Sequence, residues 1–311
     1  MSRTKMENPV QNFEKASKCP ICLSLRIRAF KKSTFDYALL NQDQIKITDS
    51  EYGKIWNLSK CTDCGHIFAD PFPKPEFIFS LYSQVVDPVY DDEAEGRCRN
   101  FLSILKNLEK IRPAKGMLFD VGAATGILLN LARRRRWEVG GIEASFWAVK
   151  FAFEKYNIRI RSGFLEEADL PTGSAQVVTM VDFIEHTPKP REALAKAREV
   201  LVPGGILCLV TPDIHSPAAR LAGKRWWHLR PGHLAYFSRR SLALLLDRAG
   251  FKILKQKKYA WTFSAQYLLS RKKITCGLTK NPRAASFLKR IPIKLPLGDS
   301  FEIYAKKDEG G

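Results

Sequence analysis

Residues 118–134, LFDVGAATGILLNLARR, constrain the fold more than any other stretch. An apolar run ends at Asp120-Val121, a turn of small residues spans Gly122 to Gly126, and an apolar helical pattern starts at Ile127. The rhythm then repeats. WEVGGIEAS (137–145) holds a strand and FWAVKFAFEKY (146–156) a helix; a short strand is expected near 158–162. AQVVTMVDFIEH (175–186) starts as a strand, REALAKAREVL (191–201) reads as a helix, and ILCLVTPD (206–213) as a strand. SRRSLALLLDRAG (238–250) is a helix opened by Ser238 and closed by Gly250, and 251–259 and 300–307 read as late strands. Strands separated by helices in this way pair in parallel and carry helices on both faces, so the expected class is α/β, doubly wound. The last strand is expected to run antiparallel at the end of the sheet.

The turn after the first strand narrows the ligand. Gly122 and Gly126 let a ligand touch the main chain at the carboxyl end of a parallel strand. No Lys-Ser or Lys-Thr pair closes the turn, so it is no phosphate-cradling P-loop, and the dinucleotide pattern GxGxxG is not matched. Glu143 ends the second strand 17 residues after Gly126. A carboxylate there can accept hydrogen bonds from two ribose hydroxyls. Together these features describe an adenosine-bearing ligand without a phosphate requirement.

DVGAATG, GGIEAS, GFLEEADLPTGSAQVVTMVDFIEH and LVPGGILCLVTPD, in this order, resemble the successive motifs of class I S-adenosylmethionine-dependent methyltransferases over about residues 97–260. The chain is most similar to the ubiquinone-biosynthesis-type subgroup. The resemblance implies a Rossmann-like, mostly parallel seven-stranded sheet. It implies that Asp120, Gly122, Ala123, Ala124 and Gly126 hold the methionine part of the cofactor and that Glu143, followed by Ala144, holds the ribose. Phe164 and Leu165, with Glu166 nearby, would flank the adenine, and Asp182 and Phe183 would lie beside the sulfonium. The family usually has glycine where this chain has Ala124; alanine is tolerated there if it keeps an ordinary φ.

Methyl transfer needs alignment of acceptor and cofactor, and a base only where the acceptor must lose a proton. The candidates are His186, in DFIEH, and His233 with Tyr236, in RPGHLAYFS. Trp226 and Trp227 could wall an acceptor pocket, although aromatic clusters are more often plain packing.

CPIC (19–22) and CTDC (61–64) form two C-x-x-C knuckles separated by 38 residues. Four thiolates from Cys19, Cys22, Cys61 and Cys64 suit a closed, structural tetrahedral Zn²⁺ site. The long spacer calls for a β-hairpin excursion, and His66 reads as a bystander. The arrangement resembles in architecture the zinc ribbons of bacterial methyltransferases acting on sugar nucleotides and other secondary metabolites, and a different ribbon occurs on some ribosomal RNA methyltransferases. Pro-rich DPFPKPE (70–76) divides a zinc-ribbon-like module, 1–75, from a methyltransferase domain, 76–311.

The 311 residues carry a net charge of +19, and residues 251–311 alone hold 14 Lys/Arg against 4 Asp/Glu. That segment could meet RNA, a phosphorylated substrate or an anionic membrane surface, or be a solvated basic face. ARRRRW (132–137) needs no ligand, since cations favour a helix C-terminus. No apolar run is long enough for a membrane span, and the polar N-terminus lacks a signal core, so a cytoplasmic protein is expected. The sequence supports a methyltransferase acting on a small or carrier-linked metabolite, with oxygen the favoured acceptor. An RNA-directed methyltransferase and a non-catalytic cofactor- or nucleic-acid-binding scaffold stand as alternatives.

Overall fold

The computed structural model describes residues 9–48, 52–271 and 281–308. Cys276 and most of the basic stretch 271–283 lie outside them. Among the described residues no helix is long and apolar enough to cross a membrane.

Five short strands come first: β1 (Phe13–Glu14), β2 (Ile27–Lys31), β3 (Leu58–Cys61), β4 (Ile67–Ala69) and β5 (Phe72–Pro73). Eight follow: β6 (Met117–Val121), β7 (Glu138–Glu143), β8 (Arg161–Ser162), β9 (Ala175–Val181), β10 (Leu201–Pro212), β11 (Ala235–Tyr236), β12 (Phe251–Ser264) and β13 (Pro292–Lys307). Seven of these form the central sheet, in the order β12-β13-β10-β9-β6-β7-β8. β6 pairs in parallel with β7 and β9, as do β7 with β8 and β9 with β10. β13 is antiparallel to both of its neighbours, which makes the sheet mixed. The expected reversal of the last strand is present, but β13 is not at the edge, because β12 pairs along its outer side.

Side chains of adjacent residues leave opposite faces of a strand, and both faces here are apolar. Phe119, Val178, Leu209 and Ile303 share one core with Leu194, Ala197, Leu242 and Leu245 from helices Pro190–Val200 and Arg239–Arg248. Their neighbours Leu118, Val177, Cys208 and Tyr304 share the other core with Ile104, Leu108 and Leu129, from helices Ala94–Ile111 and Ile127–Arg134. Continuous apolar runs in the sequence are thus buried on both sides. The arginines that end helix Ile127–Arg134 are used structurally. Arg133 donates to the carbonyls of Tyr156 and Asn157, and Arg135 pairs with Glu109.

The N-terminal sheet has the order β11-β4-β3-β2. The spacer between the Cys pairs is the expected hairpin, β2 against β3, with a long loop at its tip. Its outer strand β11 comes from residues 235–236, far along the chain. The Trp56 indole donates to Pro231 O at 2.7 Å, and Arg248 donates to Cys22 O at 2.7 Å. Among the described residues, the N-terminal sheet and the cysteine pairs therefore share a sheet and buried packing with the rest of the chain. The β2–β3 loop is tied down too: Arg230 donates to the carbonyls of Lys46 and Ile47, and Asp87 accepts from the Thr48 amide.

Candidate active site and metal centre

A cavity of about 310 Å³ opens beside the carboxyl ends of β6, β7 and β9. Its floor is the turn after β6. Gly122 and Gly126 sit at φ +71° and +76°, and the Gly126 amide donates to Ala123 O to close the turn. Gly126 is also needed for packing, since a Cβ there would meet the Ala152 methyl at 3.0 Å. Ala124 departs from expectation. Its φ is +45°, the left-handed region, so the condition of an ordinary φ under which alanine is tolerated there is not met. The close turn between two glycines fixes the backbone there, and Glu143 holds it by accepting the Ala124 amide at 2.8 Å.

Glu143 Oε1 accepts from the Ser145 amide at 2.9 Å, so both carboxylate oxygens are anchored by backbone amides. Burial pushes its pKa up, against the Ser145 and Ala124 amides. The Ser145 hydroxyl caps the next helix at Ala148 and donates to Val85 O, which fastens the 75–92 region over the cavity.

Gly122, Ala124, Glu143, Ala144, Phe164, Leu165, Asp182, Phe183 and His186 all line this cavity. Phe164 is held edge-on by Phe79, and Glu166 accepts from the Thr187 hydroxyl. Asp120, Ala123 and Gly126 lie just beneath, shaping the turn. Burial pushes Asp120 up to about 7 even though Thr179 donates to it. Asp182 sits at φ +51°, and burial raises it to about 7 against the nearby Arg97 and Arg230. Its Oδ1 and the Thr125 hydroxyl are buried at the cavity without a hydrogen-bond partner.

His233 and Tyr236 are not in the cavity wall but are buried behind it, with the His233 ring 4.7 Å from that of His186. Trp226 and Trp227 do not wall it either. Trp226 is buried in the core around Trp56 and its indole donates to Asp299. Residues not picked out in the sequence complete the wall. Tyr82 lies 2.8 Å from His186 Nδ1, Tyr90 is covered by the Arg97 guanidinium at 3.5 Å, and Ile45 to Ile47 arrive from the N-terminal module. No local pattern marks them, because their place is set by contacts across the chain. Burial, then the charge of Arg230, lowers His186 to about 3, so its ring is neutral.

The four knuckle sulfurs converge within 4.8 Å of one another. Cys19 and Cys64 are 3.6 Å apart and Cys22 and Cys61 3.5 Å. Four sulfurs ~2.3 Å from one zinc ion would be about 3.8 Å apart, so the set fits a tetrahedral ion. Burial works to raise the Cys61 thiol, but the amides of Cys64 and Asp63 and the neighbouring thiols bring it down to about 7, whereas burial pushes Cys22 up and the Cys19 thiol, with burial, pushes Cys64 up. His66 takes no part. It is fully buried, packed on Phe68 and Phe237.

Residues 90–256 match the family model described as a methyltransferase domain. The chain belongs to that family. This supports, at the level of the family, the resemblance to class I S-adenosylmethionine-dependent methyltransferases. A Mycolicibacterium smegmatis protein named as a probable S-adenosylmethionine-dependent methyltransferase is 30% identical over 135 residues, 42% of this chain and 49% of its own. The chain spans about half the length of that curated relative. Among solved structures, a chain in the complex of the Haloferax volcanii Trm112 methyltransferase activator with a methyltransferase superposes with a TM-score of 0.50. It is 13% identical, covering 70% of this chain and 94% of its own. Geranyl diphosphate C-methyltransferase from Streptomyces coelicolor, 13% identical, gives 0.45 over 66% and 76%. At 13% identity the likeness to the Haloferax volcanii chain is one of fold.

Proposed function

We propose that the chain is an S-adenosylmethionine-dependent methyltransferase for a small or carrier-linked acceptor, with oxygen the favoured methyl acceptor. The observation that carries this reading is the cavity's set of unused polar atoms. Asp182 Oδ1 and the Thr125 hydroxyl are buried without partners in a pocket that the Glu143 carboxylate also lines. A buried polar atom without a partner is costly, so these positions call for a ligand. S-adenosylmethionine fits them. Glu143 would take its ribose hydroxyls and Phe164 and Leu165 its adenine. The 122–126 turn with Thr125 would hold the methionine tail, and Asp182 would face its positive end. When bound, it supplies a methyl group on a positively charged sulfur.

The protein's share is alignment and exclusion of water. Tyr82 and His186 form the polar wall beyond Asp182, where an acceptor oxygen would be oriented. His233 and Tyr236 would support that wall from behind rather than touch the acceptor. The Cys19, Cys22, Cys61 and Cys64 set is inferred to hold one structural Zn²⁺. That ion would stiffen the module that carries Ile45 to Thr48 to the cavity mouth. Within the basic C-terminal segment, Lys257 pairs with Glu302, Lys289 with Asp92, and Lys307 with the Leu201 carbonyl, which supports a structural share for that charge.

Calorimetric titration tests the cofactor reading. S-adenosylmethionine and S-adenosylhomocysteine should compete for one site, while ATP and NAD should not displace them, because no phosphate-cradling turn is present. Displacement by either phosphate-bearing nucleotide at equal concentration would count against it.

A further inference from the structure

We propose a second metal site, for a divalent transition ion, formed by Glu185, His186 and His233 behind the cavity wall. One ligand atom from each converges within 4.8 Å of the others. The chain brings them together by backbone pairing: the amides of Leu234 and Ala235 both donate to Glu185 O, at 2.8 and 3.1 Å. That contact sets His233 beside the Glu185-His186 turn.

The pattern of satisfied and unsatisfied atoms argues for an ion rather than for packing. Glu185 is 1% exposed. Its Oε2 accepts from the Thr211 hydroxyl at 2.9 Å, while Oε1 has no partner. His233 is 4% exposed, and its Nδ1 has none. His186 Nδ1 is engaged by Tyr82, which leaves Nε2 as its ligand atom. Metal ligands are characteristically held from the outer side by such hydrogen bonds, which fix ring and carboxylate orientation. Here Glu185 Oε2 and His186 Nδ1 are held, while Glu185 Oε1 and His233 Nδ1 have no partner. Two imidazoles and one carboxylate suit Zn²⁺, Co²⁺ or Fe²⁺, and His186 is the member of the set that also lines the cavity.

Ligand atoms ~2.1 Å from one ion stand about 3.4 Å apart in tetrahedral geometry, so the widest pair must close by about 1.4 Å, within reach of side-chain rotation. Arg230 is an opposing charge nearby, and Asp182 lies under the influence of both Arg230 and Asp299. The site is defined by metal binding alone and does not depend on the methyl-transfer reading.

Cobalt substitution of the full chain tests it, because thiolate-bound Co²⁺ absorbs strongly in the near ultraviolet and a His₂-carboxylate site does not. The wild type should take up about two Co²⁺ per chain, one with the thiolate band and one without. Glu185→Gln and His233→Asn should each lower uptake to about one and leave the thiolate band unchanged, which also certifies the fold. A wild type that saturates at one thiolate-bound ion overturns the proposal. So does a second ion that persists undiminished in both variants. If one variant loses the thiolate band through misfolding, the wild-type count and the other variant decide.

Discussion

Glu143→Gln is the substitution whose outcome bears most on the site. Both carboxylate oxygens already accept backbone amides, from Ala124 at 2.8 Å and Ser145 at 2.9 Å. Glutamine is nearly isosteric but must turn its NH₂ toward one of these amides. One donor is then left facing another, which costs the free chain roughly 1–3 kcal/mol. The same exchange removes an acceptor from one ribose hydroxyl and the charge from both bonds. Hydrogen bonds to charged groups contribute roughly 1.5–3 kcal/mol each, so the expected loss of cofactor affinity is about 2–4 kcal/mol, or roughly 30- to 1,000-fold. Thermal melting of the free variant measures the first cost, and calorimetry with S-adenosylhomocysteine on the folded variant measures the second. A 2′,3′-dideoxy analogue closes the cycle. It should bind the wild type more weakly than the parent compound, while Glu143→Gln should discriminate between the two far less. Binding by Glu143→Gln within threefold of wild type, or equal losses from the analogue in both proteins, would refute the assignment of the ribose to Glu143.

Four further outcomes are expected. Thr125→Val should leave the stability of the free chain unchanged or raised by up to about 1 kcal/mol, because the buried hydroxyl has no partner. It should weaken cofactor binding by about 1 kcal/mol, and calorimetry that shows no weakening removes Thr125 from the site. Asp120 carries a pKa raised to about 7, so the proton it holds when folded stabilises the chain in acid, and that contribution disappears as pH rises through 7. Between pH 5 and 8, Asp120→Asn should gain on the order of 3 kcal/mol relative to wild type in urea unfolding; parallel curves would refute the buried-acid argument. Ala124→Gly relieves a φ of +45°, and its melting temperature should rise slightly, by about 1–2 °C, with a fall counting against strain at that residue. Under a strong chelator, the four knuckle thiols should pass from protected to reactive toward a thiol reagent as the module loosens; thiols that react equally with and without metal would rule out a closed site.

Much of the site could be read in the chain because its determinants are local. The turn from Gly122 to Gly126 follows directly from where glycines fall after an apolar strand, and Glu143 from its place at the end of the next. The Cys knuckles are legible for the same reason, each pair being brought together by its own short turn. Phe164, Leu165, Asp182 and Phe183 follow from the order of motifs, and the structure sets all four in one cavity wall.

Tertiary structure decided the rest. Tyr82, Tyr90 and Ile45 to Ile47 reach the cavity because a helix and a loop from outside the central sheet are pinned over it, by Ser145 to Val85 and by Arg230 to Lys46 and Ile47. Glu185 and His233 are 48 residues apart, and the pairing of 234–235 with Glu185 O joins them. Strand β11 enters the N-terminal sheet in the same way, which ties the cysteine module to the domain behind it. The left-handed Ala124 is likewise a product of closure, since composition gives no sign that an alanine must adopt a glycine's conformation. Periodicity and turn chemistry act over a few residues and are written in the sequence; burial and convergence act between segments and exist only once the chain has packed.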